Sequence, residues 1–303
     1  MGAAKAAIPF ALPNRRVEAW KWSDLARSVE ALALTPPPAA PHPTLHPILA
    51  LAQFYGRNDS LSLAPGETLL RVERIDPQAG LTAKGFEALV ARDAHLHRVV
   101  IQPFAADAVI ALHGRIVLEA GARYTQTILA FGARFCRIET EIVHQGAGAQ
   151  ARLNAAYLVG DGAHVDLTSL AAHHIDHGVT RQITKGAARA GGKAVFQGKF
   201  YVARGAQKTD AQMSHDGLLL DERAEINSKP ELEIYADDVA CAHGNSIGAL
   251  DGQALFYLRQ RGMPLAAARA LLIEAHIAAA LEDIEDEALQ ESLRLEARSW
   301  LTA

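Results

Sequence analysis

A cysteine and a histidine stand close together in the segment Tyr235–Gly244. They are Cys241 and His243, with Asp237 and Asp238 just before them. On a β-strand, side chains two residues apart project to the same side, so a thiol and an imidazole would be presented together. Thiolate suits iron–sulfur clusters, and imidazole can replace it at one iron. Two ligands alone make a weak site, and the alternative is a small buried Cys241 with His243 in a turn.

Other chemical motifs are weaker. The stretch Gly186–Ala194 resembles a phosphate-binding loop, but it has one residue too many before its Gly-Lys pair and an alanine where Mg²⁺ needs a hydroxyl. It therefore predicts a glycine turn and no ATPase motif. The histidines within 173–177, and His95 with His97, lack a third well-placed ligand and are predicted to be surface residues.

Composition narrows the class of protein. The 303 residues carry 30 Lys+Arg and 34 Asp+Glu, and 50% are hydrophobic. That is enough for a sizeable core in two units or one elongated unit. The net charge of −4 argues against general nucleic-acid binding, which needs clustered positive charge. The two cysteines form no disulfide framework, which fits a reducing compartment. We expect a soluble cytoplasmic protein, because no segment could span a bilayer and the first residues do not fit a signal peptide.

Three regions are predicted along the chain. Residues 1–50 form a helical segment and a proline-rich linker, with Ser23 and Asp24 as a possible cap or break. Residues 51–250 contain short segments of alternating polar and apolar residues, typical of strands with one buried and one wet face. Residues 251–303 are helical.

Gly-Ala pairs separate the predicted strands and mark turns. Both a β-sandwich and a coiled solenoid of strands fit this pattern. A doubly wound α/β fold does not, because long helical patterns are absent between the strands. The pairs begin at Gly121, Gly132, Gly146, Gly162, Gly186 and Gly205.

The C-terminal helices carry two sets of apolar residues. Asp251 is a candidate N-cap, Gly262 a stop, and Pro264 a first helical residue. One set lies off the main stripe and could meet a partner, although an ordinary packed helical pair is the alternative; it comprises Leu265, Leu271 and Leu272. The stripe itself could pack on the body of the protein; it comprises Ile273, Ile277, Leu281 and Ile284.

Several segments together resemble the SufB/SufD family of iron–sulfur cluster assembly proteins. The resemblance is dense over 206–285 and local at 15–25, whereas residues 50–200 match only in general character. A glycine directly after His243 favours the SufD-type branch of the family. The segments that carry the resemblance are Arg16–Leu25, Ala206–Asp210, Leu218–Leu220, Ala224–Val239, Cys241–Gly244 and Leu255–Gly262.

The resemblance implies a mainly β protein, with a right-handed parallel β-helix core over 51–250 between N- and C-terminal helical segments. It implies a scaffold without turnover of its own, in a complex with a SufB-type paralogue and a SufC-type ABC ATPase. His243, with Cys241 beside it, would bind iron or a nascent iron–sulfur cluster transiently, shared with the SufB-type subunit. The ATPase would bind the C-terminal helices through Leu271, Leu272, Ile273, His276 and Ile277.

Two alternatives stay open. The strand end that pairs with a paralogue could also pair with a second copy of the chain to give a homodimer. A stand-alone β-solenoid that binds a metal or another ligand would need neither the paralogue nor the ATPase. Such a protein would keep its metal when purified alone.

Overall fold

A solenoid of parallel strands forms the centre of the molecule. The computed structural model describes residues 8, 10–32, 34–35, 37, 41–42, 44–76 and 79–302. Within these residues the strands are β1 Arg57–Leu63, β2 Thr68–Arg74, β3 Gly80–Val90, β4 His95–Gln102, β5 Ala105–Leu118, β6 Arg123–Ala130, β7 Ala133–His144, β8 Gln150–Val159, β9 His164–His173, β10 Val179–Ala188, β11 Lys193–Val202, β12 Asp210–Leu219, β13 Glu225–Ile234 and β14 Ala240–Gly248.

The strands divide between two parallel sheets. Odd-numbered strands form one sheet in the order β1-β3-β5-β7-β9-β11-β13, and even-numbered strands form the other in the order β14-β12-β10-β8-β6-β4-β2. Each turn of the solenoid adds one strand to each sheet, so like positions of successive turns stack. Ile142, for example, lies between Ile116 and Ala171 in register. The predicted β-helix core is confirmed, and the sandwich alternative is excluded because every strand pair is parallel.

Alternation along the strands explains the core. Residues that face the interior between the sheets are mainly aliphatic and form two buried clusters, one centred on residues such as Leu96 and Ile116 and the other on residues such as Ile110 and Ile138. The alternation with a period of two, which predicts the strands, also determines which side chains face the interior.

Most of the predicted Gly-Ala pairs lie in turns between strands. Gly121 and Gly162 have φ values of +67° and +72°, a region that residues with a side chain rarely adopt. The pair at Gly186 is different, because it lies inside β10, and the predicted turn there is wrong. A Cβ on Gly186 would come within 2.2 Å of Cζ of the buried Tyr157 ring. The glycine is needed for packing, and the turn of this segment falls at Ala190 and Gly191.

Gly186→Ala is expected to lower the free energy of unfolding by about 1–3 kcal/mol, because the new methyl group overpacks the core against Tyr157. Urea-induced unfolding measures this change. Gly205→Ala is the matched control, since a Cβ at Gly205 meets nothing within 4 Å. Equal stability of the two variants would show that the Tyr157 ring can move aside.

Short helices flank the solenoid. They are α1 Leu25–Glu30, α2 Pro47–Tyr55, α3 Gly252–Gln260, α4 Leu265–Ala278 and α5 Glu287–Thr302, with a 3₁₀ turn at Glu18–Trp20. None of the helices within the described residues is long and apolar enough to cross a membrane.

The predicted helix caps are confirmed in part. Oδ1 of Asp24 accepts the backbone N–H of Arg27 at 2.9 Å, and Asp251 caps α3 in the same way. Pro264 is the N-cap of α4, whereas the sequence predicts it at the first helical position, which is one residue later. Helix α2 replaces the end of the predicted linker, because Pro47 occupies the first helical position, where its missing N–H is no loss. Pro36, Pro38 and Pro43 of that linker lie outside the described residues.

The apolar stripe of the C-terminal helices packs on the solenoid. It forms one buried cluster with strand residues such as Leu129 and Leu158 and with Trp300 of α5. This confirms that the stripe faces the body of the protein. Its members are Ile273, Ile277, Leu281 and Ile284.

Candidate functional site

The last turn of the solenoid, formed by β13 and β14, is open to solvent. Within the described residues, β14 pairs with β12 on one side and with no strand on the other. Every residue from Ala242 to Gly248 is exposed. Apolar side chains are exposed at the same end, with exposed fractions of 37% for Ile234, 53% for Tyr235 and 38% for Ile247. An edge strand of this kind offers unpaired backbone groups to another chain.

Strand β14 places Cys241 and His243 on one side, which faces the interior of the solenoid. The half-buried Cys241 packs against the core cluster that contains Met213. Two residues after His243, Oδ1 of Asn245 accepts a 2.7 Å hydrogen bond from Nδ1 of the buried His215. His243 lies between these inward positions in the alternation, and it is exposed because no further turn covers it. The thiol and the imidazole therefore lie on the same side of β14 at the open end of the core.

This pair is an incomplete ligand set. Burial raises the pKa of the Cys241 thiol, so the isolated chain holds it mainly protonated, whereas metals bind thiolate. Asp238 forms an ion pair with Lys208, and its backbone N–H donates to Gln207. Asp237 is exposed in the loop before β14. Further ligands, or a cation that lowers the thiol pKa, must come from elsewhere to build a stable site.

Two histidines that the sequence places on the surface are buried. His173 is fully buried, and its ring stacks on that of His144 with centroids 4.0 Å apart. Oγ1 of Thr180 forms hydrogen bonds with Nε2 of His173 at 3.0 Å and with Nε2 of His144 at 3.1 Å. His97 is buried beside His95 on one strand face. The surface prediction is wrong for His173 and His97. The ring of His144 on the preceding turn covers His173, whereas His97 lies beside His95 on the same strand.

A buried ionic network holds the N-terminal motif against the first sheet. Trp20 covers the guanidinium of Arg137, with Cζ 3.8 Å from the ring centroid, and Nη1 of Arg137 donates to the Ala19 carbonyl at 2.9 Å. Nη1 also lies 2.8 Å from Oδ2 of Asp166, which accepts a hydrogen bond from the Ser23 hydroxyl. We call these five residues the N-terminal latch. Arg137 and Asp166 occupy the predicted wet face of their strands but are 1% and 0% exposed, because the N-terminal segment covers them.

A second carboxylate extends the latch. Nη2 of Arg137 lies 2.9 Å from Oε2 of Glu139, and Nε2 of His46 lies 3.1 Å from Oε1 of the same group. Burial alone would raise the pKa of Glu139, but the hydrogen bond from His46 and the charge of Arg137 outweigh it and lower the pKa to about 2. Glu139 is therefore ionised at neutral pH. Sequence reasoning missed this network, which joins residues far apart in the chain.

Three residues predicted to bind the ATPase hold α4 on its own solenoid. Ile273 and Ile277 are 3% and 1% exposed in the cluster beneath α4. Nε2 of His276 donates to the Asp216 carbonyl at 3.0 Å. A partner cannot reach Ile273 or Ile277 while α4 is packed in this way, whereas His276 is half-buried and lines a cavity between α4 and β14.

The remaining residues of that prediction are more accessible. Leu271 is 43% exposed, and Leu272 lines a cavity of about 460 Å³ between α4 and β14. On the neighbouring helix α3, Phe256 and Tyr257 are 65% and 57% exposed, although sequence reasoning did not single them out. Helix α3 contacts α4 but has no fully buried residue, so Phe256 and Tyr257 leave it an exposed apolar surface.

Comparison with known proteins agrees with this architecture. A family model described as "SUF system FeS cluster assembly, SufBD core domain" matches residues 62–276, which is most of the solenoid and α4. The iron–sulfur cluster assembly protein SufD of Escherichia coli is 31% identical over 239 residues, 77% of this chain and 56% of that protein. A SufBD family protein of Synechocystis sp. is 36% identical over 173 residues, 57% of this chain and 38% of its own length.

Relatives extend beyond the matched part. A SufBD family protein of Mycobacterium bovis is 30% identical over 230 residues, which are 70% of this chain and 57% of the relative. The chain thus spans between 38% and 57% of the length of these proteins. The family match covers well over half of the chain, so the chain belongs to the SufBD family of the SUF system for iron–sulfur cluster assembly.

Proposed function

We propose that the chain is a SufD-like scaffold subunit that supports iron acquisition and cluster formation at an interface with a SufB-type paralogue. The observation that supports this role is the open last turn, where Cys241 and His243 share one side of an edge strand that pairs only with β12 among the described strands. A partner strand beside β14 would cover the exposed apolar residues at this end and supply the missing ligands. Iron or a nascent cluster would be transient cargo held by both chains.

The second partner in this proposal is a SufC-type ABC ATPase on α3 and α4. The segment before Lys193 lacks the spacing and the hydroxyl of a nucleotide-binding loop and forms a turn between β10 and β11, so the proposal assigns ATP hydrolysis to the partner. Exposed apolar residues on the two helices offer the contact. They are Phe256, Tyr257, Leu265 and Leu271. Burial of Ile273 and Ile277 moves the proposed contact from those residues to this exposed set. ATP hydrolysis would then shift the paralogue interface by moving these helices.

Leu271→Glu is expected to lower the amount of ATPase that co-purifies with the chain by about tenfold or more, because it places a charge in an apolar contact worth at least about 1.4 kcal/mol. The position is exposed, so the fold should not change. The measurement is co-expression with the SufB-type and SufC-type proteins, followed by affinity purification and quantification of each subunit.

Leu295→Glu serves as the matched control, since Leu295 is a leucine on α5 with 55% exposure. Undiminished ATPase in the Leu271 variant would place the ATPase contact elsewhere. A chain that purifies alone with tightly bound iron would instead support the stand-alone solenoid, with Cys241 and His243 as its ligands.

A further inference from the structure

Two histidines and a glutamate converge where the N-terminal segment meets the middle of the first sheet. Glu139 on β7 and His113 on β5 are neighbours in register. His46, the N-cap of α2, reaches the same place, and its ring lies 4.2 Å from that of His113 between centroids. One ligand atom from each residue lies within 4.8 Å of the other two. Three separate elements thus point donor atoms at one position.

An orphaned nitrogen gives the cluster a second mark of a ligand site. His113 is 4% exposed, yet its Nδ1 is buried without a hydrogen-bond partner among the described residues. A buried polar atom left in this way costs free energy unless a water or an ion satisfies it. We propose that His46, His113 and Glu139 form a binding site for a divalent transition-metal ion such as Zn²⁺ or Fe²⁺, separate from the Cys241–His243 position.

The spacing of the donors fits such an ion after a small movement. Ligands around a tetrahedral ion with bonds of about 2.0–2.1 Å lie roughly 3.3 Å apart. Nε2 of His46 and Oε1 of Glu139 are already 3.1 Å apart. The donor atom of His113 lies within 4.8 Å of the other two, so it must approach by up to about 1.5 Å to complete the set. His46 and Glu139 are 25% and 19% exposed, so an ion and a water ligand can enter from solvent.

The nearby charges allow a cation. Arg137 lies beside Glu139, but it also pairs with Asp166, so two carboxylates face one guanidinium and leave an excess of negative charge. Metal at Nε2 of His46 would move the ring proton to Nδ1. That shift breaks the hydrogen bond that Nδ1 accepts from the Ile48 N–H, which is long at 3.3 Å. The free energy lost with this hydrogen bond is small compared with the free energy of coordinating a divalent ion.

Occupation of the site would join α2 to β5 and β7. The N-terminal segment enters the fold through α2, so the ion would act as a clip that stabilises this junction. Because the ion would bind the folded chain and not the unfolded one, its binding should raise the thermal unfolding midpoint.

Zn²⁺ binding tests the proposal by equilibrium dialysis with metal analysis. The parent for this experiment is the Cys241→Ser/His243→Ala variant, which lacks the other candidate ligands. We expect one Zn²⁺ per chain and a higher thermal midpoint with Zn²⁺. His46→Gln and His113→Gln should each lower Zn²⁺ affinity by at least about 100-fold, since even outer-shell changes weaken metal sites 10- to 100-fold. The Co²⁺ complex should show nitrogen and oxygen ligation without a thiolate band.

His177→Gln is the matched control, because this histidine is 64% exposed in a turn. It should bind Zn²⁺ as the parent does. Circular dichroism without metal checks the fold of each variant, and the partly exposed His46 decides the test if the His113 variant does not fold. No Zn²⁺ bound by the parent, or equal binding by the His46 and His177 variants, would overturn the proposal. Neither result depends on the paralogue or the ATPase, so it leaves the proposed scaffold role untouched.

Discussion

Arg137→Ala should lower the free energy of unfolding by about 3–5 kcal/mol, the usual effect of removing one partner of a buried ion pair. The guanidinium is 1% exposed and contacts both Asp166 and Glu139. Among the described residues, its loss leaves the buried carboxylate of Asp166 with the side-chain hydroxyl donors Ser23 and Thr168. The cation–π contact with Trp20 and the hydrogen bond to the Ala19 carbonyl disappear as well.

The site of the damage should be the N-terminal segment. Urea-induced unfolding gives the change in stability, and native-state hydrogen exchange shows where the chain opens. We expect amides of the 3₁₀ turn and α1 to lose protection before those of the solenoid, because the N-terminal latch holds the 3₁₀ turn and α1 against the sheet. This order would distinguish release of the latch from a general weakening of the core.

Two further variants serve as controls for the Arg137→Ala result. Arg57→Ala removes a guanidinium that is 66% exposed and paired with Asp59, so it should change stability little. Replacing Arg137 by Met together with Asp166 by Leu removes both charges at similar volume and should recover much of the loss. If Arg137→Ala stayed within about 1 kcal/mol of the parent, the latch would contribute no more than an exposed ion pair.

The strands and the C-terminal stripe could be predicted because each depends on local periodicity. Alternation over residues such as Arg137–Ile142 predicts a strand, and helical spacing predicts that Ile273 and Ile277 share a face. Neither pattern states which strand lies beside which, so the stacking of turns came from the family resemblance. The same limit explains His173, whose neighbour His144 is distant in sequence but adjacent in register.

The latch could not be predicted because it is made of long-range contacts. Arg137 on β7 and Asp166 on β9 each occupy an alternating polar position of their strand, which is also the pattern of a solvated face. Only the N-terminal segment that covers them changes their environment. A usable signal is present in the chain: Trp20 and Ser23 stand in the motif shared with the family, and their ring and hydroxyl are suited to cover a guanidinium and to donate to a carboxylate. The burial of Ile273 and Ile277, in contrast, follows from their own stripe, which argues against using them to bind a partner.

The largest functional effect is expected from His243→Ala. Iron–sulfur cluster formed by the complex with the SufB-type and SufC-type proteins should fall by about tenfold or more, the effect usual for losing even a supporting group at a metal site. The fold should be preserved, because His243 is exposed on the edge strand and most such substitutions change stability by less than about 0.5 kcal/mol. Iron and sulfide content of the anaerobically purified complex, per mole of each subunit, measures the outcome.

Subunit content separates the two ways in which His243 could act. A complex of normal composition with little cluster would identify the imidazole as a ligand for iron or the nascent cluster. A loss of the SufB-type subunit would instead assign His243 to the interface, and unchanged cluster content would refute a ligand role. His177→Ala is the control, since it removes an exposed imidazole from a turn rather than from the open end. Cys241→Ala should have the smaller effect, because its burial raises the thiol pKa and disfavours the thiolate that a metal requires.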